Sequence, residues 1–213
     1  MSKKRQLILD TARTLFNQQG FAQVTIRMIA QELGMSSGNL NYHFKKRSDI
    51  FEALYFEMVG IFDRRVDELP NHTFTFEAIQ SDIRTSMEVM VQYRFFWTDM
   101  HFLLKDHPNV RAHFEGAYQK RKAGYTYLFG QLRQLGLMLE PEFSRQFHDL
   151  GERMIAYSNT WIYASKLYLS SNISPEDIGY QSNQLLSMMY PYLSSQGKQL
   201  LKPLLEDSVP TES

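Results

Sequence analysis

Apolar residues recur along this chain at intervals of three and four almost without a break, and no stretch alternates as a half-buried strand would. The first run sets Ile8, Ala12, Leu15 and Phe16 on one face and predicts a helix over about Lys3–Gln19, stopped by Gly20. Thr25 has the chemistry of an amino-terminal cap, and Ile26, Ile29, Ala30 and Leu33 follow an i, i+3, i+4, i+7 set before Gly34. Ser36 caps a third helix. Ser48, with Asp49 behind it, starts a fourth whose inward face is Ile50, Leu54, Met58 and Ile61, flanked by Phe51, Tyr55 and Phe62.

A turn at Pro70-Asn71-His72 leads into a larger body. Helices are expected over Thr73–Tyr93 and Phe95–Lys105, the latter ended by Asp106-His107-Pro108. A long one runs from Pro108 to about Leu135, closed by Gly136. Its stripe is Val110, Phe114, Ala117, Arg121, Tyr125, Leu128, Leu132 and Leu135. The next is the most regular: Phe143, Phe147, Leu150, Met154, Tyr157, Trp161, Ala164 and Tyr168 form a heptad seam of about seven turns. Ser174-Pro175-Glu176-Asp177 combines a cap, a proline and an acid three residues on, opening a helix through Ile178, Leu185, Met189 and Tyr192 with a kink at Pro191. The fold class is all-α. Residues 1–47 form a tri-helical domain, residues 48–206 a helical body to which the fourth helix connects it, and 207–213 a loose tail.

The third helix raises a question that periodicity does not answer. Its sequence, SSGNLNYHF from Ser36 to Phe44, is poor in helix formers, with two serines, a glycine and two asparagines. With Leu40 inward, rotation by 100° per residue turns Gly38, Asn39, Asn41 and Tyr42 outward and leaves Ser36, His43 and Phe44 toward the core. Small outward residues let a helix lie deep in a major groove about 12 Å wide, where asparagine bonds an adenine edge bidentately and serine addresses bases or phosphate. The plain alternative is a capped turn with unremarkable polar residues.

Charge changes the balance toward DNA. The chain carries 23 basic and 23 acidic residues, but residues 1–50 hold eight Lys/Arg against three acids, leaving +5 there and −5 in the remainder. A basic end on an acidic body suits a polyanionic partner. Lys45, Lys46 and Arg47 stand where the fourth helix begins, and helix dipole and side-chain charge both favour phosphate there.

These pieces carry a resemblance. Residues 8–54, with ILDTARTLFNQQGF, VTIRMIAQELGMSSGNLNYHF and KKRSDIFEAL, resemble the amino-terminal domain of the TetR family of bacterial transcriptional regulators. The segment YRFFWTDM (Tyr93–Met100) is similar to one found in a subgroup of the family's variable regulatory domains. The resemblance implies an all-helical homodimeric regulator of nine or so helices, usually a repressor, with a ligand-binding body. It implies that Thr25 and Arg27 touch phosphate, that Ser37, Gly38, Asn39, Asn41 and Tyr42 address bases and adjacent backbone, and that His43 and Arg47 contact backbone. With Ser36 and Lys46, these are the expected DNA-binding residues. Two departures matter: Asn41 replaces the usual tyrosine, and Arg47 the commoner lysine, a change that keeps the charge and so the expected phosphate contact.

The two long apolar stripes are the expected dimer seam, with Phe147, Met154, Trp161, Leu185, Met189 and Tyr192 as interface candidates; the alternative is that the seam packs inside one subunit. For a pocket the candidates are Tyr93, Trp97, Phe114, Tyr118, Arg121, Tyr125, Tyr157 and Trp161, although an aromatic stripe is more often core. Arg121 stands on an otherwise apolar stripe. It could neutralise a ligand carboxylate or phosphate; the more ordinary readings are a pair with an internal acid such as Asp99, or a side chain reaching solvent.

The remaining classes narrow quickly. Cysteine is absent, which excludes disulfides and thiolate metal sites and suits a reducing cytoplasm. No apolar run reaches the roughly 18–20 residues that cross a bilayer, and the apolar stretch near the amino terminus is too short for a signal peptide. Neither a phosphate loop, a nucleophile elbow nor a metal signature supports an enzyme, and no cofactor is expected beyond an unknown small-molecule effector. His101, His107 and His113 are spaced by six, so no two successive ones share a helix face, and they read as surface or turn residues. The competing function is a helical protein-interaction module that binds no specific DNA.

Overall fold

The computed structural model describes residues 2–68, 74–168 and 173–206, so the expected turn at Pro70-Asn71-His72 and the tail from Asp207 lie outside the described residues. Among the described residues ten α-helices run in chain order: α1 (Lys3–Gln19), α2 (Ile26–Glu32), α3 (Ser37–His43), α4 (Arg47–Glu68), α5 (Phe76–Gln92), α6 (Arg94–Asp106), α7 (Pro108–Gln134), α8 (Gln146–Tyr168), α9 (Pro175–Ser187) and α10 (Ser195–Glu206). An antiparallel bridge between Met138 and Leu193 is the extended pairing among the described residues.

The chain divides into two compact units. The first comprises Met1–Glu68 with Gln92–His113, the second Leu69–Val91 with Phe114–Ser213. Rather than ending at residue 47, the amino-terminal unit includes α4 and α6. The reason is aromatic packing: Phe16 meets Phe21 and Phe95 with ring centroids 5.1 and 5.2 Å apart, and Phe51 on α4 stacks near Phe96 on α6. Asn17 fastens the start of α6, donating to the Gln92 carbonyl at 2.8 Å and accepting from the Phe95 N–H at 3.1 Å. His107 is no surface histidine. It is buried, its Nδ1 lies 2.8 Å from the Leu103 carbonyl, and its ring sits 4.3 Å from that of Phe51.

In the second unit, α9 and α10 replace the single kinked helix that Pro191 suggested. Proline lacks the donor a continuing helix needs, so α9 stops at Ser187 and a 3-10 turn spans Tyr190–Tyr192. The Ser194 hydroxyl then accepts from the Gly197 N–H at 3.1 Å and starts α10. Gly197 is there by necessity: a β-carbon would sit 2.1 Å from the Leu137 carbonyl oxygen. At its far end α10 is capped from within, since the Leu204 carbonyl accepts from Gln80 and from the buried Asn183.

Candidate nucleic-acid interface

The reading head is assembled by local capping and a few apolar anchors. Thr25 accepts from the Met28 N–H and Ser36 from the Asn39 N–H, each at 3.2 Å, which fixes where α2 and α3 begin. Gly34, at φ +63°, makes the turn between them in a region that side-chain-bearing residues rarely adopt. Leu40 and Phe44 are buried and hold α3 against the core. Everything opposite them faces out: Gly38, Asn39 and Asn41 are exposed, and Tyr42 is 86% exposed, its ring edge-on to His43. Thr25, Arg27, Ser36, Lys45 and Lys46 are also exposed, while Ser37 and His43 are half-buried.

Two arginines stabilise this head from behind, and sequence reasoning assigned neither that task. Arg47 was expected on phosphate. Instead its Nη1 lies 3.1, 3.0 and 2.8 Å from the carbonyl oxygens of Phe21, Ala22 and Val24, and its guanidinium stacks 4.2 Å above the Phe21 ring. The turn between α1 and α2 presents three carbonyls that need donors, and a guanidinium at the start of α4 supplies them. The start of α4 differs accordingly: Arg47 is its first residue, and Asp49 accepts from the Lys46 N–H at 3.0 Å. Arg5 does similar work on α3, donating to the His43 carbonyl at 3.2 Å and lying 4.1 Å over the Phe44 ring. The only sequence signal for Arg5 was its place in a basic run.

The expected pocket residues do not come together as one set. Tyr93 belongs to the first unit, where its hydroxyl donates to Glu57 at 2.6 Å and accepts from Arg13 at 3.1 Å; burial and the Glu57 carboxylate push its pKa up to about 12. Trp97 is buried in that unit too, edge-on to Phe96. Asp99 is not the partner of Arg121, because it accepts from the Phe21 N–H at 3.2 Å. Phe114, Tyr118, Arg121, Tyr125, Tyr157 and Trp161 lie in the second unit. There Tyr118 donates to Glu152 at 3.1 Å, Tyr157 to Gln181, and Arg121 to Asn159 at 2.6 Å and to Ser158. Burial and the neighbouring Tyr180 push the Tyr157 phenol up to about 12.

The expected dimer seam is a core. Met154 and Met189 are 0% exposed, and Trp161 and Leu185 are buried as well. Phe147 packs its ring against Phe129 and Tyr192, and the Tyr192 hydroxyl accepts from Arg153 at 3.0 Å. Met154, Trp161, Leu185 and Met189 are consumed within one protomer, because α8 must bury one face against its own unit before it can offer another, while Phe147 and Tyr192 remain half-buried. What α8 leaves uncovered is a second stripe, Arg153, Ala156, Thr160, Tyr163 and Leu167, at the same 3-4-3-4 spacing. Near its start, His148, Asp149 and Glu152 bring three ligand-type atoms together. Neighbouring donors already serve the two acids: His148 and Arg145 hold the Asp149 carboxyl below its ordinary range, and Lys122 and Tyr118 do the same for Glu152.

Comparison with known proteins adds a family. The model described as bacterial regulatory proteins of the tetR family matches residues 8–54, and the TetR model described as a bacterial transcriptional repressor matches residues 61–201. The chain is 41% identical over 51 residues to the HTH-type transcriptional regulator AcrR of Shigella flexneri, which is 24% of each chain. The chain thus spans less than half the length of the curated relatives it matches. It superimposes on a TetR-family transcriptional regulator from Marinobacter aquaeolei VT8 with a TM-score of 0.88 at 24% identity, covering 98% of this chain and 100% of that one. A transcriptional regulator from Saccharomonospora viridis, solved in complex with choline, gives 0.68 at 22% identity over 91% of this chain and 100% of that one. At these identities the two structures establish the fold. No helix among the described residues is long and apolar enough to cross a membrane.

Proposed function

Because the chain belongs to the TetR family of bacterial transcriptional regulators, we propose that it is a homodimeric, effector-responsive repressor that reads an inverted repeat with α3 and works in the cytoplasm. The observation that carries this reading is the outward face of α3. A β-carbon on Gly38 would meet only the Ser36 hydroxyl, at an ordinary 3.9 Å, so nothing within the fold requires a bare position there. Glycine in a helix costs about 0.5–1 kcal/mol relative to alanine. A close approach by an external partner accounts for that cost, and the exposed amides of Asn39 and Asn41 flank the bare position.

The second copy seats on the exposed stripe of α8. Tyr163 and Leu167 are 49% and 58% exposed, and Thr160 spends its hydroxyl on the Ala156 carbonyl at 2.8 Å, so the centre of the stripe presents methyls rather than free donors. A two-fold dimer reads an inverted repeat when its two recognition helices meet half-sites one DNA turn apart, about 34–36 Å.

Regulation runs along helices. Tyr55 on α4 lies 2.9 Å from His113 Nδ1 on α7, and Arg121 stands eight residues, about 12 Å, further along α7. An effector that shifts α7 would move α4, whose first residue is the Arg47 that braces the reading head. Differential affinity of the effector for two settings of α4 then becomes a change in operator affinity.

Anisotropy titrations of a labelled operator across salt concentrations test the contact assignment. Asn39→Ala and Asn41→Ala should each relax preference at particular base pairs by about 1–3 kcal/mol, whereas Lys46→Ala should weaken all sequences alike and reduce the salt slope by about one. Uniform loss from all three substitutions would contradict the base-reading role of α3.

A further inference from the structure

Arg121 is a cation without an anion. Its guanidinium donates to Asn159 Oδ1 at 2.6 Å and to the hydroxyl of Ser158, and among the described residues no carboxylate forms an ion pair with it. Ser158 is itself fixed as an acceptor, because its own proton goes to the Ile155 carbonyl at 2.9 Å. Burial pulls the Arg121 pKa down from its ordinary value, but an arginine starts so high that it stays charged. A desolvated charge held only by neutral oxygens is costly unless a counter-charge arrives.

The surroundings define that counter-charge. The Tyr125 phenol beside Arg121 is pushed up by burial and by the Asp82 carboxylate, stays protonated, and so can only donate to an anion. The buried Trp161 Nε1–H, one turn from Ser158 on α8, has no hydrogen-bond partner among the described residues. Arg121, Tyr125 and Trp161 thus offer donors, and the one carboxylate among those residues whose charge is felt there, that of Asp82, acts on the Tyr125 phenol. Lys122, the next cation on α7, is already paired with Glu152 at 3.3 Å, which leaves one positive charge and selects a monoanion over a phosphate dianion. Ile155, Trp161 and Ile162 are buried on the same helix and favour an apolar body.

We infer that Arg121 anchors the carboxylate of a small, largely apolar acid in a site built from α7 and α8, and that this acid is the effector; the inference rests on reading the second unit as effector-binding. Decanoate and 4-phenylbutyrate are the probes, with decanamide and decyltrimethylammonium as neutral and cationic counterparts. Titration calorimetry and tryptophan fluorescence on the full chain should show saturable binding of a carboxylate at least about tenfold tighter than its amide. Arg121→Gln should abolish that preference while leaving effector-free operator binding intact. Should the variant fold poorly, the carboxylate–amide comparison on the unaltered protein decides alone. Equal binding of acid and amide, tighter binding of the ammonium, or no binding of either acid would overturn the inference. Operator affinity measured alongside separates the two readings: intact operator binding without carboxylate binding overturns this inference only, whereas absent operator binding overturns the regulator.

Discussion

Arg47→Ala lowers the melting temperature by roughly 5–10 °C and weakens binding to every DNA sequence alike. The side chain supplies donors to three carbonyls of the turn between α1 and α2 and covers the Phe21 ring. Hydrogen bonds from a charged donor contribute about 1.5–3 kcal/mol each to stability, and the carbonyls left behind in a half-buried turn lose their partners. A net loss of about 2–4 kcal/mol follows, and each kcal/mol moves the midpoint by about 2–4 °C in a chain of this size. DNA binding falls because α2 and α3 hang from that turn. Lys46→Ala is the control, being exposed and placed to touch phosphate without touching the fold. Calorimetry without DNA decides: an unchanged midpoint in Arg47→Ala would return this arginine to a simple phosphate contact.

Tyr163→Asp combined with Leu167→Asp separates the protein into folded monomers and reduces operator affinity by roughly 10²–10⁴. Each aspartate would be carried into a two-fold apolar seam without a partner, at several kcal/mol per buried ion. Once the dimer is lost, the second half-site no longer gains the effective concentration that the first engagement provides. Both residues are about half exposed in the protomer, so its core is untouched. Met154→Asp, by contrast, should unfold the chain, because that side chain is 0% exposed. Sedimentation velocity reads the outcome, and a dimer that survives the double substitution would place the interface elsewhere.

What the sequence made legible was mostly local chemistry. The bounds of α1, the caps at Thr25, Ser36 and Ser174, and the positive φ of Gly20, Gly34 and Gly136 all follow from side chains acting within four residues of themselves. The outward face of α3 was legible for the same reason, since one inward leucine fixes the rotation of a short helix. Less visible was anything that depends on which surface meets which. The α8 seam has a clear period, but a period names a face and not its partner, and the inward face proved to be the more apolar one. The bracing roles of Arg5 and Arg47 escaped notice because both side chains bond backbone carbonyls, which every residue carries and no sequence pattern marks. Arg121 was conspicuous on its stripe, yet its neutral partners Ser158 and Asn159 come from a different helix. His107 looked like a turn residue because Pro108 follows it, while the aromatic pocket that buries it is assembled from α4, α6 and the turn after α1.

The central claim is that a dimer reads DNA sequence through α3. Selecting the purified protein against a random duplex library at about 0.15 M salt, followed by sequencing, tests it most directly. The expected result is an inverted repeat whose half-site centres lie about 34–36 Å apart, with base preferences that shift in Asn39→Ala and Asn41→Ala but not in Lys46→Ala. A population with no enriched sequence, or binding that persists undiminished at high salt, would contradict it and favour a protein partner for the same helix.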